Sequence, residues 1–495
     1  SACAERILFG TNDLRVFALD AATGRRCSMF GRDGELHIRP EMTEQFPGEL
    51  QFNGPPAIIG GTVVLGSTVS DHVRRHAPSG VVRAFDARTG TPRWTFDPIP
   101  RDPADPAAAS WQNGSAGHTG AANVWSDMSV DEARDLIYLS TSSPSLDFDG
   151  RARPGDNRYA NSVVALRGST GEIAWHFQIV HHDLWDYDLP SAGLLTRLEV
   201  NGQPRDALVQ LTKQGLVFVF DRATGEPLFP IEERAVPQSD LPGEQTSPTQ
   251  PFPVTMPWLM GAHLADGLTP AAWGFTPLDQ ALCRRQLAAH RALGLYGPPS
   301  RAGTLTYPWA TGGSNHGMRA YDPERRLLIV NLIRTAGVLY AAPDSEPHSG
   351  YAAGSGILVS LLGAPCLKPP WGELVALDIE KQQIVWRVPL GTIEKRAHLP
   401  AWLPLPLKFG TPSRGGPMLT RGGLVFVAGT MDDALRAFDT ETGRELWRTQ
   451  LPAGGQATPM TYQIDGRQYV VIAAGGHAWM KTTPGDYVLA YTLRD

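Results

Sequence analysis

The segment LRAFDTETGRELW, residues 435–447, contains a pattern that recurs along the chain. Apolar residues and Ala precede an Asp, two variable residues follow, and then come Thr-Gly, three more variable residues and Trp. The copies are VFALDAATGRRC (16–27), VRAFDARTGTPRW (82–94), VVALRGSTGEIAW (163–175), VFVFDRATGEPLF (217–229), LVALDIEKQQIVW (374–386) and LRAFDTETGRELW (435–447). Such self-similarity is typical of repeat architectures.

Each copy predicts a β-hairpin. Alternating apolar residues form the first strand, and Asp with Thr-Gly supplies side-chain hydrogen bonds and a positive-φ residue for the turn. Trp then lies on the second strand, where it can pack between neighbouring units. Because a unit of four short strands cannot bury both of its faces alone, we expect the units to stack radially into an all-β propeller. The last strand, YVLAYTL (487–493), is expected to share its sheet with a strand from the N-terminal end.

The spacing of the copies is interrupted once. Residues 231–370 are interpreted as a long insertion within a single domain, 1–495. The insertion carries LDQALCRRQLAAHRALGL, which predicts a helix near 277–293 with Thr276 as N-cap, Pro277 at its first position and Gly294 at its end. We expect this partly helical insertion to cap the mouth of the propeller.

Composition excludes several classes of protein. The formal net charge is −6 and no basic block occurs, so nucleic acid is not expected as a partner. The longest apolar runs are far shorter than the ~18 residues that a membrane-spanning helix needs. No transmembrane segment is therefore expected in this chain.

Four cysteines lack the C-x-x-C spacing of zinc sites. We predict the disulfides Cys3–Cys27 and Cys283–Cys366, with four buried free thiols as the alternative. Disulfides would indicate an oxidising compartment.

The segment HHDLWDYD, residues 181–188, concentrates acidic and aromatic side chains. Asp183, Asp186 and Asp188 flank Trp185 and Tyr187, an arrangement that suits a general base or a ligand of a hard cation. A loop whose carboxylates only bind backbone N–H groups is an equally good interpretation of these residues alone. Likewise, Lys213 taken alone is expected to be solvated and Trp125 to be a packing residue.

Five segments together carry a family resemblance. They are HHDLWDYDLP (181–190), TKQGLVFVFDRATGE (212–226), SPTQPF (247–252), PPWGELVALD (369–378) and LPAGGQATPMTYQIDGRQYVVIAAGGH (451–477). These resemble the quinoprotein dehydrogenases that use pyrroloquinoline quinone (PQQ), most closely the branch of membrane-bound glucose dehydrogenases and quinate dehydrogenases. The resemblance implies an eight-bladed β-propeller, of which about six blades' worth of motifs are visible here. It also implies PQQ near the propeller axis and a divalent cation beside it, usually calcium, with magnesium as the alternative.

The resemblance assigns roles to three residues near the reacting atoms. Asp186 matches the family's catalytic base, and Lys213 matches the basic residue that hydrogen-bonds the quinone oxygens. Trp125 stands where an aromatic ring stacks on one face of the cofactor.

Further positions are assigned to the cofactor and the metal. Thr68 is expected near a cofactor carboxylate and Asn315 at the cofactor edge. The metal ligands implied are Asp71, Ser143 and Asp186, although Ser143 replaces an amide ligand of the family.

The implied reaction is oxidation of an alcohol, an aldose or a cyclic polyol such as quinate or shikimate, with electrons passed to a quinone or a cytochrome. His316, which replaces a Trp frequent in the family, and the rim at residues 258–263, from Trp258 to His263, are the candidates for contacting substrate. The implied location is the periplasm, with association with the inner membrane through parts outside this chain.

A second class of function stays open. Non-catalytic periplasmic propeller scaffolds share the Asp-x-x-Thr-Gly-x-x-x-Trp repeat, so the repeat alone does not separate a scaffold from an enzyme. The family's chains also carry about two further blades before the position of Cys3. We therefore expect either a fragment of a longer enzyme, which would be inactive in the extreme case, or an incomplete ring.

Overall fold

A computed structural model of the chain describes residues 3–39, 42, 44–52, 54–71, 73–261, 267–341, 355–393 and 408–493. The strands of its first half are β1 Arg6–Gly10, β2 Arg15–Asp20, β3 Glu35–His37, β4 Leu50–Gln51, β5 Ala57–Ile59, β6 Thr62–Leu65, β7 Thr68–Val69, β8 Val82–Asp86, β9 Pro92–Phe96, β10 Ser129–Asp131, β11 Leu136–Ser140, β12 Ser162–Arg167, β13 Ile173–Gln178, β14 Leu194–Val200, β15 Gln203–Leu211 and β16 Val217–Asp221. Short 3₁₀ helices span Ala108–Ser110, Gln112–His118 and Glu132–Arg134.

The second half contains one α-helix, α1 Pro277–Ala288, within the described residues. Its strands are β17 Ile231–Ala235, β18 Thr249–Pro253, β19 Arg291–Ala292, β20 Thr304–Thr306, β21 Arg319–Asp322, β22 Leu327–Ile333, β23 Gly337–Leu339, β24 Ser355–Ile357, β25 Gly372–Asp378, β26 Gln383–Pro389, β27 Met418–Thr420, β28 Leu424–Val427, β29 Ala434–Asp439, β30 Glu445–Gln450, β31 Met460–Ile464, β32 Arg467–Ala474 and β33 Tyr487–Tyr491.

Antiparallel sheets built from near-consecutive strands repeat along the chain. Four of them have the strand orders β5-β6-β8-β9, β10-β11-β12-β13, β21-β22-β25-β26 and β27-β28-β29-β30, and three have the orders β1-β2-β3, β14-β15-β16 and β31-β32-β33. Each motif copy lies in a sheet of its own, on β2, β8, β12, β16, β25 or β29. The last sheet, β31-β32-β33, carries no motif. The predicted repeat of β-sheets is therefore confirmed.

The motif turn forms as the sequence predicts. The carboxylate of Asp86 accepts the backbone N–H groups of Arg88 (2.9 Å) and Thr89 (2.8 Å) and the Thr89 hydroxyl (3.0 Å). Equivalent bonds to the residues that follow are made by Asp20, Asp221 and Asp439. Where the third copy has Arg167 in place of Asp, Asp135 accepts the N–H of Ser169 instead (3.0 Å).

The motif Trp connects one sheet to the next. The indole N–H of Trp94 donates to the Gly168 carbonyl (2.9 Å) in the following turn, and the ring lies where a side chain on Gly171 would be, 2.6 Å from an added Cβ. Trp175 and Trp386 make the same contacts with the turns that contain Gly225 and Gly443. The motif glycine is therefore required twice, for its positive φ and for the room that it leaves to the preceding Trp.

The insertion is smaller than its predicted bounds of 231–370. Strands β21 and β22 lie inside those bounds, but they form the first half of the sheet that β25 and β26 complete. The motif occurs only in the last hairpin of each sheet, so β21 and β22, in the first half of theirs, contain no copy of it. The inserted parts are the hairpin β17-β18, helix α1 and the sheet β19-β20-β23-β24. Whether they cap the propeller mouth stays a prediction, as does the single-domain boundary 1–495.

Helix α1 begins where the sequence predicts and ends earlier. The Thr276 hydroxyl accepts the N–H of Asp279 (3.1 Å), and Pro277 occupies the first helical position. The predicted end near residue 293 is wrong, because Arg291 and Ala292 form β19, which pairs in parallel with β20. Strand pairing outweighs the helical propensity of this short segment.

Both predicted disulfides are present. Cys3 bonds Cys27 within the first sheet, and Cys283 bonds Cys366, which fixes α1 to the segment before β25. The predicted sharing of a strand between the two ends of the chain is wrong for the described residues, since β1 pairs with β2 and β33 pairs with β32. In each case the partner is the strand adjacent in sequence.

We expect Gly225→Ala to destabilise the protein more than Gly24→Ala. Both glycines lie in motif turns with similar φ, 76° and 70°, so both variants incur the strain of about 1–2 kcal/mol for a left-handed residue. Only at Gly225 would the new Cβ meet a Trp ring, 2.5 Å away, whereas nothing lies within 4 Å of Gly24. Overpacking should add about 1–3 kcal/mol at Gly225. Urea unfolding of both variants measures the difference, and equal losses would contradict the Trp docking.

The motif aspartate should also make stability depend on pH. Burial opposes its ionised form, but the backbone N–H of Thr89 and the guanidinium of Arg93 outweigh burial and lower the pKa of Asp86 to about 2. Because the folded-state pKa is lower than that of the unfolded chain, this stabilisation is present above about pH 4 and is lost as the pH falls towards 2. Asp86→Asn should therefore be less stable than the parent at pH 7, and the gap should close below pH 4. A gap that stays constant in urea titrations across this range would refute the prediction.

Candidate active site

Asp183 organises the acidic loop that follows β13. Its buried carboxylate accepts the backbone N–H groups of Trp185 (3.0 Å) and Tyr187 (2.9 Å), the amide of Asn161 (3.2 Å) and the hydroxyl of Ser143. Burial raises the pKa of Asp183, and the bonds from Ser143 and Trp185 oppose that rise. These bonds fold the loop into a tight turn in which Asp186 has a φ of 59°.

The two aromatic residues of the loop are buried anchors. The indole N–H of Trp185 donates to the Gly297 carbonyl (2.8 Å), and the ring packs edge-on against Tyr296. Tyr187 packs edge-on against the same Tyr296 ring. Since both anchors point into the core, Asp186 between them is held in a fixed orientation.

Asp186 and Lys213 form a buried ion pair. The ammonium group of Lys213, in the turn between β15 and β16, donates to the Asp186 carboxylate (2.8 Å) and to the Asp186 carbonyl (2.8 Å). Burial disfavours the charged lysine, but Asp186 and Asp188 outweigh it and raise its pKa above the usual range. Lys213 is therefore a permanent cation within the site, and the default interpretation of a solvated lysine is wrong.

Asp188 connects three of the predicted residues. Its carboxylate accepts from the ammonium group of Lys213 (3.1 Å), the indole N–H of Trp125 (3.1 Å) and the backbone N–H of Ser143 (2.7 Å). The sequence marked Asp188 only as one of three acids. Alternation in DYD was the available signal, because it places Asp186 and Asp188 on the side opposite to the buried Tyr187.

The electrostatic field at Asp186 is strongly negative. Burial raises the pKa of Asp186 well above its usual value, Lys213 opposes this, and Asp188, Asp147 and Asp71 add to the rise. Several carboxylate charges thus act on Asp186, a setting that suits a divalent cation with oxygen ligands.

The predicted metal ligands are only partly assembled. Asp71, in the turn after β7, is exposed, but its charge acts on Asp186. The Ser143 hydroxyl is engaged with Asp183 and with the amide of Asn161 (3.1 Å). In the described part of the chain, no group of three His, Cys, Asp or Glu side chains forms a ready metal site. The ligand set Asp71, Ser143 and Asp186 stays a prediction.

Thr68 lies close in the fold to the segment that precedes Trp125. The carbonyl of Ser67 accepts from the Asn123 side chain (2.8 Å), and Gly66 lies directly against the Val124 carbonyl. Strand β7, which contains Thr68, is thereby fixed beside the residues that lead into Trp125. Contact of Thr68 with a cofactor carboxylate stays a prediction.

The loop with Asn315 and His316 forms another wall. The ring of His316 lies 5.8 Å from that of Trp125, and its Nε2 is 3.2 Å from Asp127 Oδ1. The Asn315 side-chain amide forms hydrogen bonds within its own loop. It donates to the Thr311 carbonyl (2.7 Å) and accepts the N–H of His316 (2.7 Å). His316 therefore lies beside the predicted cofactor position, and Asn315 fixes the backbone there.

The predicted substrate rim is resolved in part. The indole N–H of Trp258 donates to the Gln214 carbonyl (2.8 Å), and the ring packs edge-on against Tyr307. Trp258 thus stabilises the turn that contains Lys213 and Gln214. His263 lies outside the described residues.

Sequence reasoning missed two buried supports of the loop. Arg153 donates to the Leu146 carbonyl (2.9 Å) and to the Asp183 carbonyl. His182 pairs with Glu244 (2.8 Å), and this connects the loop to the segment between β17 and β18. Nothing in the sequence around Arg153 signals its role, because the bond that supports the loop goes to the backbone carbonyl of Asp183, thirty residues away.

We expect Asp183→Asn to loosen the loop and to destabilise the protein. An amide presents its NH₂ group to at least one of the backbone N–H groups that the carboxylate now accepts, and a buried donor left unsatisfied costs about 1–3 kcal/mol. Asp156→Asn is the matched control, since the Asp156 carboxylate accepts a side-chain hydrogen bond from the Ser247 hydroxyl (3.1 Å), and an amide oxygen can accept that bond equally well. Urea unfolding should separate the two variants, and a loss at Asp183 no larger than at Asp156 would contradict this role.

Comparison with known proteins connects this site to a family. Residues 1–470 match the model of the PQQ family described as glucose/ethanol/alcohol dehydrogenase, beta-propeller domain. The quinoprotein glucose dehydrogenase A of Acinetobacter calcoaceticus is 38% identical over 100% of this chain and 64% of its own length. The glycerol dehydrogenase large subunit of Gluconobacter oxydans (38%, 100% and 70%) and the quinate/shikimate dehydrogenase (quinone) of Acinetobacter baylyi (38%, 99% and 63%) are similar to the same degree. The chain thus spans 64% of the length of the glucose dehydrogenase.

Solved structures agree on the fold. The quinohemoprotein alcohol dehydrogenase ADHIIG of Pseudomonas putida superposes with a TM-score of 0.71 at 25% identity, over 99% of this chain and 65% of that chain. A europium-containing methanol dehydrogenase superposes with a TM-score of 0.64 at 23% identity, over 95% of this chain and 72% of that chain. The expected β-propeller fold is confirmed.

Proposed function

Since the chain belongs to the family of PQQ-dependent dehydrogenase β-propellers, we propose that it oxidises an alcohol, an aldose or a cyclic polyol with PQQ as the electron acceptor. One observation carries the proposal. Asp186 is buried between two aromatic anchors, paired with Lys213, and surrounded by further carboxylates that raise its pKa. A carboxylate in this setting is a stronger base than one in water, which suits removal of a proton from a hydroxyl group.

Asp186 is the general base of the proposed reaction. Its carboxylate accepts the proton of the substrate hydroxyl while the adjacent C–H bond breaks. Lys213 keeps the carboxylate oriented and places a positive charge next to it. The ammonium group also stabilises negative charge that develops on a nearby oxygen during the reaction.

The residues present fit the cofactor and a hard cation. The ring of Trp125 is half-buried and is fixed through Asp188, so that a flat ring system can stack on it. Asp186 and Asp71 offer carboxylate oxygens of the kind that calcium or magnesium prefers. When bound, PQQ would supply the two-electron acceptor and the cation would polarise it.

The partners follow from the same family membership. Glucose, glycerol and quinate or shikimate occur in the names of the relatives, and all three kinds of compound carry hydroxyl groups. We propose a quinone or a cytochrome as the final acceptor. Two disulfides support an oxidising compartment, and we propose the periplasm. None of the helices in the described residues is long and apolar enough to cross a membrane.

We expect Asp186→Asn to reduce kcat by about 10²–10⁴-fold, because a general base typically contributes that much. Activity is measured by dye reduction with PQQ, calcium and a panel of glucose, glycerol and quinate. Asp206→Asn, on β15 outside the site, is the matched control and should retain the parent's rate. Full activity of Asp186→Asn would remove Asp186 from the role of base.

A titration of the same proteins with PQQ and calcium separates the enzyme from a scaffold. The parent and Asp186→Asn should both change the quinone absorbance in a saturable way, since the base is not needed to hold the cofactor plane. A parent chain that shows no saturable binding would instead support the non-catalytic propeller.

A further inference from the structure

Residues 413–415, shortly before β27, are held by hydrogen bonds to other parts of the fold. The buried Asn331 amide donates to the Ser413 hydroxyl (2.9 Å) and to the Gly415 carbonyl (2.9 Å). The backbone N–H of Arg414 donates to the Gly429 carbonyl (3.1 Å). The position of Arg414 is therefore fixed from two sides.

The guanidinium of Arg414 has no partner among the residues that the structure describes. Its Nε is buried without a hydrogen bond, and its other two nitrogen atoms make no hydrogen bond or ion pair with those residues. By contrast, the buried Arg334 pairs with Glu373 (2.9 Å), Arg436 pairs with Asp432, and Arg153 donates to carbonyl groups. Partial burial of a cation without a counter-charge costs free energy. A bound anion would offset that cost.

Hydrogen bonds connect the segment of Arg414 to the turn that holds Lys213. Asn331, which bonds Ser413 and Gly415, lies on β22 two residues before Ile333. The Ile333 N–H donates to the Gly313 carbonyl (2.7 Å), and the Gly313 N–H donates to the Lys213 carbonyl (2.6 Å). Burial lowers the pKa of Arg414, and the negative charge of Asp186 acts against this, although the two side chains form no ion pair. A molecule whose hydroxyl contacts Asp186 would therefore bind near the guanidinium.

We propose that Arg414 binds the carboxylate of the substrate, and hence that the substrate is a hydroxy acid rather than a neutral sugar or polyol. This inference rests on the proposed function and narrows its substrate class. A guanidinium presents paired N–H donors that match the two oxygens of a carboxylate, and such charge-assisted bonds are among the strongest in proteins. The cofactor also carries carboxylates, so the experiment must distinguish the two sources.

The test compares matched acid and neutral substrates in three variants. Quinate is paired with its uncharged carboxamide, and glycerate is paired with glycerol. Arg414→Gln should raise KM for the acids about 10–100-fold, as expected for a lost charged hydrogen bond, and should leave KM for the neutral partners within about twofold. Arg414→Lys should restore part of the affinity. Arg421→Gln is the control, because Arg421 is exposed and paired with Glu324 (2.8 Å).

Two readouts do not depend on turnover. PQQ affinity, followed by quinone absorbance, should stay within about twofold in Arg414→Gln, whereas a tenfold loss with equal effects on acids and neutral compounds would assign Arg414 to a cofactor carboxylate and overturn the proposal. Calorimetric titration of the chain with quinate should show binding that Arg414→Gln abolishes and Arg421→Gln retains.

The remaining outcomes are also decisive. A parent enzyme that oxidises glycerol as efficiently as glycerate, and the carboxamide as efficiently as quinate, would overturn the proposal while the dehydrogenase function stands. A parent that binds quinate through Arg414 but does not bind PQQ would refute the proposed function and retain the carboxylate site. Urea unfolding of each variant confirms that a lost signal is not a lost fold.

Discussion

Docking of Trp94, Trp175 and Trp386 on the turn of the following sheet is the contact on which the rest of this protein depends. A single sheet of short strands is unstable alone, so each one needs a neighbour on each face. The Trp fixes the position of the neighbouring sheet. Its N–H donates to one carbonyl of the next turn, and its ring fills the space above the turn glycine. Successive sheets are thereby held at a constant offset.

This stacking explains how residues distant in sequence form one site. The acidic loop follows β13, the strand that carries Trp175, and the turn with Lys213 connects β15 and β16, the last two strands of the sheet on which that Trp docks. Trp125 precedes the first strand of the sheet that contains β13. The contacts among Asp186, Lys213 and Trp125 therefore depend on the same interface that stabilises the fold.

Sequence patterns predicted the structural elements that repeat along the chain and missed several that occur once. Hairpins, turn bonds and Trp packing follow from local patterns, whereas the two disulfides were predicted beside the alternative of free thiols. Asp186 and Lys213 were indicated by resemblance, because a lone lysine before a strand carries no local signal of burial. Arg153 and His182 were missed as supports, since the fold brings them to partners such as the Asp183 carbonyl and Glu244. The early end of α1 and the membership of β21 and β22 in a sheet of the repeat depend on strand pairing, which local propensity does not encode.

Charge balance connects the site to its ligands. The carboxylates of Asp188, Asp147 and Asp71 act on Asp186 beside Lys213, a setting that suits a further cation. Arg414 is a cation for which the described residues supply no ion-pair partner. Had Arg414 served only to neutralise Asp186, the two would form an ion pair as Lys213 and Asp186 do. The proposed substrate instead offers a hydroxyl to the base and a negative charge to the guanidinium.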